Sequence, residues 1–185
     1  DTGYPFRQDS NFNYLTGFDE PESLLVLCPN NKEGRTTLFL RPKDKVAEMW
    51  EGRRLGLDKA KEALGVDLVF SIHDLDKKLP ELLQNHSKVF LDLFSNKPLV
   101  DKSLEHLRSL SGRKKSKIAS PQKMVNLPPI IGMMRLKKDA EEISLIRKAS
   151  AISSKAHKAA MAFTSPGKNE YEVQALMEYI FKKEG

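Results

Sequence analysis

The amino-acid sequence predicts an α/β protein in which a mixed β-sheet is flanked by helices. Two observations lead to this prediction. Strand-like and helix-like segments alternate along most of the 185-residue chain, and an early pair of apolar segments is joined by a short polar turn. Past residue 132 the pattern predicts only helices, so we place a domain boundary there, which gives domains 1–132 and 133–185.

The first apolar segments are predicted to be strands. FNYL, residues 12–15, approaches an alternating pattern that Gly17 interrupts, and LLVL, residues 24–27, is a continuous run typical of a buried strand. A polar turn, PNNKEGR, then leads to TTLFLR, whose alternating and β-branched residues favour another strand. An antiparallel hairpin is therefore expected.

The next segments change to helical spacing. Val46, Met49 and Trp50 share one face of a predicted helix. Asp58 is predicted to cap a short helix that stops at Gly65. The elements predicted after it are a strand in VDLVFSI, an amphipathic helix that includes Pro80, a strand from Val89 to Leu93 and a helix from Leu99 to Leu110.

The connector between the two predicted domains is expected to be extended, because Pro128 and Pro129 disfavour a helix. Beyond it, Asp139 and Glu142 form a predicted capping box at the start of a long helix that ends at the SPG triplet, residues 165–167. The segment NEYEVQALMEYIFKKE then predicts a second helix with its asparagine as the cap.

Charge and composition exclude two classes of partner. The net charge is +6, but the dense basic run at residues 113–117 has no interleaved aromatic residue, so no nucleic acid is expected. No apolar run approaches the ~20 residues that cross a bilayer, so no membrane partner is expected. Cys28, the one cysteine, is predicted to be a buried, inert thiol and suits a cytoplasmic location. An organelle-targeting segment ahead of Asp1 stays open.

The histidines give no metal site. The chain has four histidines: His73, His86, His106 and His157. No two of them have the spacing of a helical metal motif such as HExxH. His157 is expected to have a structural or surface role, and His73 to belong to a turn. No serine can be placed beside a base from sequence alone, so no catalytic or metal-binding residue is predicted in this chain.

Three motifs, in order, resemble consecutive parts of one enzyme family: PFRQDSNFNYLTGF from residue 5, MWEGRRLG from residue 49 and MRLKK from residue 134. On these residues the chain resembles the Xaa-Pro aminopeptidases, also called aminopeptidase P. The resemblance implies a ribonuclease-H-like domain, similar to the creatinase amino-terminal domain, over 1–132 and incomplete at its start. It implies the first helices of a pita-bread α+β domain, truncated, over 133–185.

The resemblance also implies an activity. The family removes the first residue from peptides with proline in second position, using two divalent metal ions, usually manganese. Its metal ligands fall in segments after the last helix of this chain, so the chain by itself is predicted to be inactive. Two alternatives stay open: a prolidase, which cleaves Xaa-Pro dipeptides, and a peptidase-like binding module that is not catalytic.

Trp50 is the main site residue that the resemblance implies. It matches a tryptophan that reaches the active-site mouth of a neighbouring subunit, which implies a homo-oligomer, either a dimer or a tetramer. An indole offers a broad apolar face to a proline ring and a donor at its rim. Without the resemblance, a core tryptophan on the face shared with Val46 and Met49 is the alternative, and both interpretations stay open.

Four further residues are named on the same basis. Arg53 and Arg54 are expected either to support the subunit interface or to end a helix favourably. Asp1 matches an aspartate near the substrate entrance. Arg135 matches an arginine at the domain junction, where a structural salt bridge is expected rather than catalysis.

Overall fold

The computed structural model describes residues 6–111 and 119–185, which fall into two compact units, Asp1–Gly132 and Met133–Gly185. The helices are α1 Ser10–Thr16, α2 Lys45–Glu51, α3 Leu57–Leu64, α4 Leu75–Leu83, α5 Lys97–Ser111, α6 Pro128–Leu136, α7 Ala140–Phe163 and α8 Glu170–Glu184. The strands are β1 Leu24–Leu27, β2 Thr36–Leu40, β3 Leu68–Ser71, β4 Lys88–Leu91 and β5 Lys123–Asn126.

The predicted α/β class with a mixed sheet is confirmed. Strand β2 pairs antiparallel with β1 and parallel with β3, so the three-stranded sheet is mixed and the predicted hairpin is present. Strands β4 and β5 form a second, parallel sheet that the sequence did not separate from the first. Helices connect the parallel strands, as the alternation of segments predicted.

The core of the first unit is built around β2. Leu38, Phe39 and Leu40 have no accessible surface, which means that both faces of this strand are covered. Leu38 and Leu40 pack with Phe18 and other apolar side chains. Phe39 contacts the ring of Phe70, with 5.8 Å between the ring centroids. A separate cluster of leucines from α4 and α5 covers the second sheet.

The Asp67 carboxylate joins the beginnings of β2 and β3. Its Oδ2 atom accepts hydrogen bonds from the backbone N–H groups of Arg35 (2.8 Å) and Thr36 (2.9 Å) and from the Thr36 hydroxyl (2.9 Å). Gly34 lies so close to the first residue of β3 that a Cβ added to it would be 2.7 Å from Leu68 Cγ. The hydrogen bonds, led by the one from the Thr36 backbone, hold the pKa of Asp67 below its ordinary value.

The strand predicted over residues 12–15 is wrong, because this segment is the helix α1. The Asp9 carboxylate accepts from the N–H groups of Asn11 and Phe12, both at 2.9 Å, and so begins the helix. Gly17 ends it in the left-handed conformation, with φ of 62°. A helix of seven residues is too short for its apolar spacing to be told from strand alternation.

The extended connector predicted at Pro128 and Pro129 is also wrong, because these residues begin α6. The first turn of a helix does not use its own N–H groups within the helix, so proline is tolerated there. The Leu127 carbonyl accepts from Ile130 (3.0 Å) and Ile131 (3.3 Å) instead. Strand β5, just before this helix, was not predicted.

One predicted cap is misplaced and another is confirmed. Helix α3 begins after Gly56, so Asp58 lies in its first turn and does not cap it, whereas Gly65 ends it with φ of 64° as expected. The capping box of α7 is confirmed: Asp139 Oδ1 accepts from the N–H of Glu142 at 2.8 Å, and the Glu142 carboxylate accepts from the N–H of Asp139 at 2.9 Å.

The second unit is a pair of helices with a small core. Helix α8 folds back along α7, and the Lys155 ammonium contacts the Glu184 carboxylate. The buried residues of the pair are Ala156, Ala160 and Ile180. The amino-terminal half of α7 leaves its apolar side chains exposed.

We expect the Asp67 contact to make the stability of the first unit depend on pH. Because the pKa of Asp67 is lowered in the folded state, its ionised form stabilises the fold above the unfolded pKa, and this stabilisation is lost as the pH falls through the folded pKa. Asp67→Asn should therefore lower the midpoint of urea unfolding at neutral pH, and the difference from wild type should shrink on acidification below about pH 4. Asp19→Asn, at an exposed aspartate outside the sheet, is the control. A difference that stays constant with pH would contradict the assignment.

Candidate functional site

Helix α2 presents Trp50 to solvent. The side chain is 85% exposed, and Val46 and Met49, on the same face, are 67% and 75% exposed. The interpretation of Trp50 as a core residue is therefore wrong for the described structure. Helix α2 buries none of its residues, so the apolar face is not covered by any described part of the chain.

The beginning of α2 is fixed by a side-chain cap. Asp44 Oδ1 accepts hydrogen bonds from the N–H groups of Val46 (2.9 Å) and Ala47 (3.1 Å). These bonds, the one from Ala47 first, lower the pKa of the Asp44 carboxyl. The helix therefore begins at a defined residue although it has no apolar packing to fix it.

The end of α2 is fixed by charge. Glu51 Oε2 accepts from Arg41 Nη1 at 2.9 Å and from Arg54 Nη2 at 2.8 Å. The hydrogen bond from Arg54 and the positive charge of both guanidinium groups lower the pKa of the Glu51 carboxyl. Glu51 is thus an ionised carboxylate shared between two arginines, next to Trp50 in the chain.

Arg54 also binds the loop on either side of the helix. Its Nη1 donates to the Pro42 carbonyl at 3.1 Å, and its backbone N–H donates to Glu48 Oε1 at 2.8 Å. The structure places Arg54 in contacts within the chain, and both roles named for it from sequence stay predictions. Arg53, beside it, is exposed, and its interface role stays a prediction.

The polar residues around α2 were missed by sequence reasoning, apart from Arg54. Glu51 and Arg54 stand three residues apart, a spacing at which opposite charges pair at a helix surface, so this signal was present. Arg41 is ten residues from Glu51 and comes from the end of a strand. Only the reversal of the chain after β2 brings it there, which no local pattern indicates.

The described residues do not supply a metal site. Among residues 6–111 and 119–185 no group of three or more His, Cys, Asp and Glu side chains could hold a metal ion. His73 and His157 are exposed. His106 Nε2 lies 3.7 Å from Asp76 Oδ1, which pairs more closely with Lys102. No hydrolytic step is assigned to the described residues, and the location of the metal ligands stays a prediction.

The remaining sequence-predicted residues belong to other parts of the sequence. Asp1 and the basic run at 113–117 are outside the described residues, and Arg135 is half-buried on α6, where its junction role stays a prediction. Cys28 is buried, as predicted, and its Sγ lies 3.5 Å from the Leu82 carbonyl. Burial raises the pKa of this thiol, which makes it a poor nucleophile. No described helix is long and apolar enough to span a membrane.

Comparison with known proteins matches the two ends of the chain to two families. Residues 1–90 match the family described as aminopeptidase P, N-terminal domain. Residues 144–185 match metallopeptidase family M24.

Relatives of the same kind match over the whole chain. The Xaa-Pro aminopeptidase of Escherichia coli K12 is 36% identical over 189 residues, which cover 100% of this chain and 42% of the relative. The structure of Pseudomonas aeruginosa aminopeptidase PepP matches with a TM-score of 0.93 and 35% identity, over 98% of this chain and 41% of that one. Zinc-substituted Escherichia coli aminopeptidase P in complex with product matches with a TM-score of 0.92 and 35% identity, over 100% of this chain and 42% of that one. The chain thus spans about two fifths of the length of these relatives.

We expect Asp44→Ala to loosen α2 without affecting α3. Because α2 has no buried residue, loss of its cap should speed amide hydrogen exchange at Val46 and Ala47 on the order of fivefold. Asp58→Ala is the control, since this aspartate lies in the first turn of α3 but does not cap it. Unchanged exchange in α2 would show that the cap does not hold the helix.

Proposed function

We propose, on the premise that this chain belongs to the aminopeptidase P family and corresponds to the amino-terminal portion of an Xaa-Pro aminopeptidase, that the whole protein removes the first residue from peptides with proline in second position. The observation that carries this proposal is the match along the entire chain, in one order, to a protein of that activity name. The two family matches support the same proposal, because an aminopeptidase P N-terminal domain is followed in this chain by the start of an M24 metallopeptidase domain.

Divalent metal ions form part of the proposal. M24 is a metallopeptidase family, and a relative has been solved with zinc in place. We infer that the whole protein uses two divalent ions, manganese, held by residues other than those described, since the described residues gather no ligand set. The 185-residue chain alone is therefore expected to be inactive.

Trp50 is assigned a role in substrate contact across a subunit interface, in a dimer or a tetramer. Its exposure of 85% supports this assignment, because the apolar face of such an indole is accessible to another molecule. Met49 and Val46 extend the apolar surface around it. Exposed apolar faces of this kind mark contact surfaces more often than free ones.

The alternatives receive less support. Prolidase shares the domain types, but relatives 35% and 36% identical to this chain bear the name Xaa-Pro aminopeptidase. No observation favours a binding module without catalysis. A cytoplasmic location belongs to the proposal and is compatible with the single, reduced Cys28.

The activity is tested with the complete protein and manganese. We expect release of the first residue from an Xaa-Pro-Xaa tripeptide, much slower cleavage of an Xaa-Pro dipeptide, and no release from the matched Xaa-Ala-Xaa peptide. The 185-residue chain assayed in parallel should release nothing. Preference for the dipeptide would identify a prolidase instead, and inertness of the complete protein on all three peptides would refute both.

We expect Trp50→Ala in the complete protein to raise the KM for an Xaa-Pro-Xaa peptide about tenfold, since an apolar aromatic contact with the substrate is lost. Trp50→Phe, which keeps a ring, should have a smaller effect. Phe94→Ala is the control, because Phe94 is 83% exposed and lies away from α2 in the chain. Equal KM values for Trp50→Ala and wild type would remove Trp50 from the substrate site.

A further inference from the structure

Helix α2 carries the residue assigned to substrate contact, yet it buries no side chain that would anchor it in the core. None of its seven residues is buried, and a helix of this length is not stable by itself in water. Its orientation must come from polar contacts at its ends. Asp44 satisfies the first N–H groups but does not tie the helix to the sheet.

We propose that Glu51, held between the guanidinium groups of Arg41 and Arg54, is a positioning residue that fixes the direction in which Trp50 projects. This inference rests on the proposed function for its catalytic consequence, whereas the restraint itself is a property of the described chain. Glu51 directly follows Trp50 in α2, so a restraint on its carboxylate acts one residue from the indole.

The two arginines are anchored to the rigid part of the unit. Arg41 follows Leu40, which has no accessible surface, so its backbone is set by the core strand β2. Arg54 is tied by its Nη1 to the Pro42 carbonyl, in the segment that leaves β2. Only 13% and 11% of the Arg41 and Arg54 side chains are accessible. The donors that reach Glu51 therefore belong to side chains that are themselves held in place.

Neutralising Glu51 would do more than remove two hydrogen bonds. The Nε atoms of Arg41 and Arg54 are buried without a hydrogen-bond partner among the described residues, so the shared carboxylate is a main compensation for both cations. Without its charge, two guanidinium groups would be left side by side and would repel each other. The end of α2 would then be released from β2.

Release of α2 should leave the core intact. The buried clusters contain no residue of α2, so a loosened helix does not open them. A residue that merely stabilised the unit would change the unfolding midpoint. A positioning residue changes the motion of the indole at an almost unchanged midpoint.

The first test measures the motion of the indole directly. Trp50 is the one tryptophan of the 185-residue chain, so the time-resolved fluorescence anisotropy of the chain reports on it alone. Glu51→Gln should increase the amplitude of the fast, local decay about twofold. An exposed ion pair changes the ratio of the restrained to the released helix by up to a few-fold. Glu81→Gln is the matched control: Glu81 also accepts from a cation three residues away, Lys78, at 2.9 Å, and is similarly exposed.

An unchanged local decay in Glu51→Gln would overturn the proposal. If Glu51→Gln lowers the helical circular dichroism of the whole chain, the anisotropy decay of Trp50 is measured in Arg41→Met instead. This variant removes one of the two arginine contacts and leaves the pair of Glu51 and Arg54. Arg41→Lys, which keeps the charge, should restore most of the restraint.

The second test asks whether Glu51 acts through Trp50. In the complete protein, Glu51→Gln should raise the KM for an Xaa-Pro-Xaa peptide on the order of fivefold with little change in kcat. In a Trp50→Ala background the same change should alter KM by less than about twofold, because the indole that it positions is gone. If the KM changes of Glu51→Gln and Trp50→Ala multiply in the double variant, the two residues act independently and the proposal is overturned. A wild-type protein inactive on the peptide would refute the proposed function instead, and the anisotropy result would still decide whether Glu51 restrains the indole.

Discussion

The burial of β2 from Thr37 to Leu40 is the constraint on which the rest of the first unit depends. This strand pairs with a neighbour on each side and has apolar side chains covered on both faces, so its position is set by the core. Its beginning is joined to β3 through Asp67. Arg41, which follows its last residue, contacts Glu51 at the end of α2. A surface helix without a buried residue can hold a defined direction because its attachment points belong to this strand.

The first unit combines two kinds of order. Its sheet and core helices are held by apolar burial, which salt does not screen, whereas α2 is held by a cap and by an ion pair with two arginines. A surface that must contact another molecule cannot bury its apolar residues in its own chain. Polar attachment from beneath leaves Val46, Met49 and Trp50 free for such a contact.

Sequence patterns predicted the elements that carry their own chemical signals. The alternating, β-branched residues of β2 and the capping box of α7 are local, and both were found from sequence. The prolines that begin α6 were misinterpreted, since the same residue destabilises a helix interior and favours a helix start. Apolar spacing placed Val46, Met49 and Trp50 on one face, but spacing cannot say whether another element covers that face. The ion pair of Arg41 and Glu51 depends on a chain reversal and was beyond local reasoning.

The small interior of the α7 and α8 pair has a consequence for how the 185-residue chain opens. Alanines at positions 156 and 160 let the two helices approach closely, but they remove little apolar area from water. Such a pair gains less from closing than the sheet unit does, and it separates as a cooperative segment at a lower free energy.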